Sequence, residues 1–258
     1  MTQSEKRLFL IQSLLKERPE YRQVETPRDP EGQRQLLRGL MNVRPPQAAD
    51  PDFLRVQDAY LQAETAARGI TDLADLTPVQ PGLYVWQGDI TTLRCDAIVN
   101  AANSGMTGCY VPNHRCIDNA IHTYAGVELR LACKKLMEQQ GCSEPTGQAK
   151  ITPAFNLPCR YVLHTVGPIV RDRVTRRDRE LLASCYRSCL ELAAENGLES
   201  VAFCCISTGI FHFPNQPAAE IAVKTVRDFL AGNTSVKKVI FNVFKDRDNE
   251  IYHRLLSR

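Results

Sequence analysis

The sequence predicts an α/β sandwich with a largely parallel central sheet over residues 81–258, preceded by a helical extension over 1–80. Two patterns carry this expectation. After Pro78 and Pro81, short apolar runs alternate with helical stretches, whereas everything before residue 80 is helical and punctuated by proline. In addition, three polar turns each follow a strand candidate, which is where sheets of this class hold ligands.

In chain order, Leu8, Ile11, Leu14 and Leu15 recur at helical spacing and predict an amphipathic helix ending near Pro19. Asp29-Pro30 is an N-cap with proline in the first turn, and Leu36, Leu37, Leu40 and Met41 share one face behind it. Asp50-Pro51 repeats the signal, with Phe53, Val56, Tyr60 and Ala63 carrying a third stripe toward Gly69. Three short helices make a poor core of their own, so they are expected to pack on the remainder as a cap or lid. Strands are expected at 83–86, 97–99, 161–166, 201–206 and 239–244, and helices near 117–140, 178–196, 215–231 and 247–257. The segment 171–179 alternates charges of both signs and reads as a solvated loop.

Net charge is +3 with both signs mixed along 258 residues, so nothing proposes nucleic acid or a disordered acidic tail. No apolar run approaches the roughly 18 residues that cross a bilayer, and no secretory leader is evident. The expectation is a cytoplasmic protein without membrane partners. Ten cysteines in a chain of this kind read as thiols. Cys204 and Cys205, Cys185 and Cys189, and the isolated Cys95, Cys133, Cys142 and Cys159 are expected to behave as small buried hydrophobes.

The chemistry concentrates in four stretches. Cys109, His114 and Cys116 bring three soft or borderline ligands into one polar loop, and no further CxxC lies nearby to complete a closed structural site. Three ligands with an open fourth position is the arrangement of catalytic zinc; two thiols beside a surface histidine is the bland alternative. Ser207-Thr208-Gly209-Ile210-Phe211 sits between a strand and a helix, where free amides favour an anion, although a tight turn has the same composition. Asp89 follows Gln87-Gly88 at a strand end and suits either an exocyclic amine or a turn. Asn100 and Asn103 flank Ala101 and Ala102, which fits close approach to a sugar or an Asx turn.

Together, Gln87-Gly88-Asp89-Ile90-Thr91, the stretch from Asp96 to Ser104, Ile117-Asp118-Asn119-Ala120-Ile121-His122 and Ser207-Thr208-Gly209-Ile210-Phe211 resemble, in this order, the macrodomain family and its MacroD-type hydrolases. The resemblance implies a three-layer α/β/α sandwich with a mixed sheet that binds ADP-ribose and removes it from modified proteins. By the same resemblance, Asp89 and Ile90 hold adenine, and Asn100 and Ala102 line the cleft. Asn103 positions the distal ribose, Asp118 is the carboxylate beside its anomeric carbon, and residues 207–211 wrap the diphosphate. Gly126 matches a family turn. The chain departs from the common pattern at the Cys109–Cys116 loop and at His212-Phe213-Pro214. The first departure, with the N-terminal helices, resembles the bacterial zinc-dependent macrodomains. That subgroup implies one zinc per chain on Cys109, His114 and Cys116, a lipoylated carrier protein as the modified partner, and a functional link to a sirtuin-type ADP-ribosyl transferase. A non-catalytic reader of ADP-ribose and an O-acetyl-ADP-ribose deacetylase are the alternatives. His122 and His164 are expected to pack rather than to catalyse.

Overall fold

In the computed structural model, which describes residues 1–257, each N-terminal helix starts on a side-chain cap. Thr2 and Glu5 form a capping box on α1 (Gln3–Lys16), and Asp29 and Asp50 cap α2 (Pro30–Val43) and α3 (Pro51–Arg68), each with proline in the first turn. Their apolar stripes face one another, with Leu10, Ile11, Leu37, Phe53 and Val56 buried in one cluster that Val127 seals. The three stripes thus converge on one another and, through Val127 and the contacts of α2 and α3 with residues 117–125, on the remainder of the chain.

The elements that follow are β1 (Thr71–Asp72), β2 (Leu83–Gln87), β3 (Leu93–Arg94), β4 (Ala97–Ala101), α4 (Ile117–Ala125), α5 (Val127–Gln140), β5 (Ala149–Pro153) and β6 (Tyr161–Thr165). They continue through α6 (Arg176–Glu195), β7 (Ser200–Phe203), α7 (Asn215–Leu230), β8 (Lys238–Val243) and α8 (Asp246–Leu256). The main sheet runs β2-β8-β7-β4-β6-β5, parallel throughout except for the antiparallel edge strand β5, and β1 pairs with β3 separately. Ala97, Ile98 and Val99 in the centre are fully buried, as a parallel strand covered on both faces must be. Successive residues of β6 identify the two covers. His164 meets Cys133 of α5 at 3.8 Å, and the Thr165 side chain, whose hydroxyl donates to Gln148 O at 2.7 Å, lies next to Cys185 of α6. Thus α4 and α5 lie on one face of the sheet and α6 on the other, joined there by α7 and α8.

Several expected boundaries shift. The helix expected over 117–140 breaks at Gly126, whose φ of 100° and ψ of 174° no helix accommodates. The strand expected over 201–206 ends at Phe203, and the one over 239–244 ends at Val243, leaving Phe244 80 % exposed. Strand β5 was not expected. Cys142 is exposed and Cys205 half-buried, against the reading of both as core.

Candidate functional site

Because the strands are parallel, the carboxyl ends of β2, β4, β6, β7 and β8 share one edge of the sheet. The three polar turns singled out in the sequence therefore come together there. Gly88 N donates to Val243 O at 3.1 Å, and Asn242 Nδ2 donates to Gly88 O at 2.9 Å, fastening the turn after β2 beside Phe244. Phe244 is an aromatic face at this edge that the sequence reading assigned to a strand.

Asp89 has both oxygens engaged. Oδ1 accepts from Thr91 N (2.9 Å) and Thr91 Oγ1 (2.6 Å), and Oδ2 accepts from Arg68 Nη1 at 2.6 Å. Arg68, in the last turn of α3, lies 3.6 Å over the Tyr124 ring. Nothing local in the sequence signals this partner. The Ile90 side chain is buried in the main core.

The turn after β4 is built around Asp118. Asn100 Nδ2 donates to Asp118 Oδ1 at 2.8 Å and Asn103 Nδ2 to Oδ2 at 3.3 Å. Asn103 also donates to Gly108 O and accepts from Gly105 N, so it is an Asx turn and a carboxylate partner at once. Asn100 is fully buried and shares its amide between Asp118 and His164, while Ala102 is buried with its N–H bonded to Thr165 O. Both act on the edge from below.

Asp118 occupies the first turn of α4, where the helix dipole favours an anion. Burial pushes its carboxyl up to about 6, with the Asn100 hydrogen bond, the Arg130 charge and the Asn103 hydrogen bond opposing. His122 follows one turn later, with Nε2 3.5 Å from Asp118 Oδ1. Burial holds its imidazole well below its ordinary value, and so keeps it neutral. His164 is similarly held, at about 3. Its ring nitrogens face Asn100 and Thr152, so although His122, Cys133 and His164 cluster, the group is a packed polar core.

Cys109, His114 and Cys116 converge within 4.8 Å, with Cys109 Sγ 3.5 Å from His114 Nδ1. Bond lengths of zinc to sulfur and nitrogen set the edge of a tetrahedron at about 3.6 Å, so this pair already has the right separation. Cys116 is also the N-cap of α4, accepting from Asn119 N at 3.4 Å. Burial pushes its thiol up to about 11, against that backbone hydrogen bond. Among the described residues no fourth His, Cys, Asp or Glu places a ligand atom within 4.8 Å of all three.

The loop after β7 completes the edge. Ser207 takes the left-handed conformation (φ 64°), and the amides of Ser207, Gly209, Ile210 and Phe211 make no hydrogen bond within the described chain. Ser207 Oγ is buried without a partner, whereas Thr208 Oγ1 is spent on Cys205 O. Phe211 O anchors the loop to Val170 N at 2.9 Å. Successive free amides in such a turn form an anion cradle. A groove of about 480 Å³ lies between α2, α3 and α4 and is also lined by Asn113 and Arg115.

The profile of the Macro domain family matches residues 99–222. The chain is 61% identical over its whole length to a Treponema medium protein, also covered completely, named protein-ADP-ribose hydrolase. It is 49% identical over 97% of its length to 94% of a Staphylococcus aureus protein of the same name. Among solved structures, a Trypanosoma brucei macrodomain in complex with ADP-ribose aligns at TM-score 0.66 and 30% identity, covering 84% of this chain and 94% of that one. A mutant Oceanobacillus iheyensis macrodomain with ADPR aligns at TM-score 0.64 and 39% identity, over 70% of this chain and 96% of that one.

Proposed function

The chain belongs to the macrodomain family, and from that premise we propose that it is a protein-ADP-ribose hydrolase that removes mono-ADP-ribose from a carboxylate side chain. The substrate class is a lipoylated carrier protein modified by a sirtuin-type transferase, as in the zinc-dependent subgroup that the sequence resembles. One observation carries the catalytic part. The edge that offers free amides to a diphosphate also presents Asp118, buried, raised to about 6 and bonded to Asn103.

In this reading Asp89 accepts from the adenine amine and Phe244 covers the ring. The free amides of Ser207, Gly209, Ile210 and Phe211 hold the diphosphate, and Ser207 Oγ gains the partner it lacks. Asn103 holds the distal ribose over Asp118. The Asp118 carboxylate, more basic than an exposed aspartate yet ionised at neutral pH, takes a proton from the attacking water. The oxygen of that water bonds to the anomeric carbon, the ester C–O bond breaks, and the proton passes to the released carboxylate. Cys109, His114 and Cys116 would hold a zinc ion, which when bound would supply Lewis acidity toward the distal ribose.

Removing a general base slows catalysis about a hundred- to ten-thousandfold. Asp118→Ala is therefore expected to release ADP-ribose from a mono-ADP-ribosylated carrier that much more slowly while still binding ADP-ribose by calorimetry. Wild-type rates in the variant would remove Asp118 from the mechanism. Binding without turnover by the wild type on ester-linked protein and on O-acetyl-ADP-ribose would make the chain a reader.

A further inference from the structure

The loop from Cys109 to Cys116 is pinned at four backbone positions, and the N-terminal helices supply or support three of the pins. Arg38 of α2 donates through Nη2 to His114 O at 3.1 Å. Asn42 Oδ1 accepts from Asn113 N at 3.0 Å, holding a residue whose φ of 56° is left-handed. Arg130 of α5 donates to Cys109 O at 3.4 Å and lies 4.1 Å from the Tyr110 ring. The fourth pin, Asn119 Nδ2 to Val111 O at 3.0 Å, is itself oriented by Arg38, which donates to Asn119 Oδ1 at 2.8 Å.

Arg130 is also tied to α2. Its Nη1 donates to the carbonyls of Asn42 and Arg44, both at 2.6 Å, at the carboxyl end of the helix where a cation is favoured. Asn42, almost fully buried, donates in turn to Thr123 Oγ1 of α4 at 3.0 Å. Helix α2 thus binds both the loop and the helix that begins at its last cysteine.

We propose that Arg38 and Asn42 are positioning residues for the Cys109, His114 and Cys116 set, so that α2 is a fixed clamp on the metal loop rather than a lid over it. A left-handed Asn113 and a carbonyl at His114 aimed away from solvent are costly loop states in isolation. The clamp holds them before any ion arrives, and a preformed ligand set loses less entropy on binding. Supporting groups of this kind typically change metal affinity about ten- to hundredfold. The inference rests on the zinc reading above for its metal consequence, but the clamp itself is a property of the loop.

The test compares wild type, Asn42→Ala and Arg38→Ala as full-length proteins stripped of metal. Cobalt(II) titration, followed through thiolate-to-cobalt absorption, is expected to show about ten- to hundredfold weaker binding in both variants, with ADP affinity within about twofold of wild type. Unchanged cobalt affinity overturns the proposal, and so does a parallel loss of ADP binding, which marks general unfolding. Hydrogen exchange of the amides of 109–116 in the metal-free proteins is expected to accelerate in both variants, and unaltered protection also overturns it. If wild type shows no thiolate–cobalt band, the zinc reading fails while the exchange experiment still decides on the clamp.

Discussion

Gly108 carries a constraint out of proportion to its size. Its φ is 86°, and a Cβ there would come within 2.8 Å of the His122 ring. Its carbonyl accepts from Asn103 Nδ2, the same amide that reaches Asp118. Gly108→Ala must therefore either displace a fully packed imidazole or move the carbonyl that orients Asn103. Left-handed strain alone costs about 1–3 kcal/mol, and denaturant titration is expected to show at least that loss. Turnover should fall in the folded fraction with ADP affinity retained, because the adenine end lies outside the disturbance. At this scale residue type was legible in part: Asp89, Asn103 and 207–211 follow parallel strands whose carboxyl ends share one edge, and Asn103 bonds Asp118. The sequence was silent about Arg68 on Asp89 and Arg38 on His114, since those partners stand 21 and 76 positions apart with no local pattern to link them.

Helix α5 begins directly after the break at Gly126, without a cap from its own neighbours. The acceptor comes from α3, where Gln57 is fully buried and its Oε1 takes the Val127 N–H at 2.9 Å. Replacing a helix cap costs about 0.5–2 kcal/mol, and stranding a buried N–H adds to that. Gln57→Ala is expected to lower unfolding free energy by about 1–2 kcal/mol, seen as a lower denaturation midpoint at unchanged slope. A midpoint equal to wild type would falsify the capping role. The same junction explains what was legible among the elements. The two helices announced by Asp-Pro were readable because their caps are local. The break at Gly126 was not, since a lone glycine is tolerated within helices and Gln57 decides this one from 70 residues away. Strand β5 escaped notice because an edge strand ending in Pro153, with most side chains only half-buried, lacks the apolar run of a central strand.

Across the whole molecule, the sheet face beneath the site is built on neutral imidazoles. His164 is held at about 3 and His122 well below its ordinary value, both by burial, and Asn100 ties His164 to Asp118. For each histidine the unfolded chain binds a proton near pH 6.5 that the folded chain refuses, so stability is complete above that pH and declines on acidification toward the folded value. Asp118 works in the opposite sense: its folded value of about 6 exceeds the unfolded value near 4, so between these limits the native state binds the extra proton. Below about pH 6.5 the two histidines favour unfolding while Asp118 alone opposes them, so the net direction for this group is a loss of stability on acidification. Helix-capping Asp178, held below the ordinary aspartate value by hydrogen bonds from Thr175, loses its contribution only at still lower pH. Urea denaturation of the metal-free protein at pH 6, 5 and 4 is expected to show stability falling with pH. His164→Asn should make that fall shallower, because one of the two imidazoles that refuse a proton is gone, and a variant as pH-sensitive as wild type would rule out the neutral His164 imidazole as a source of the dependence.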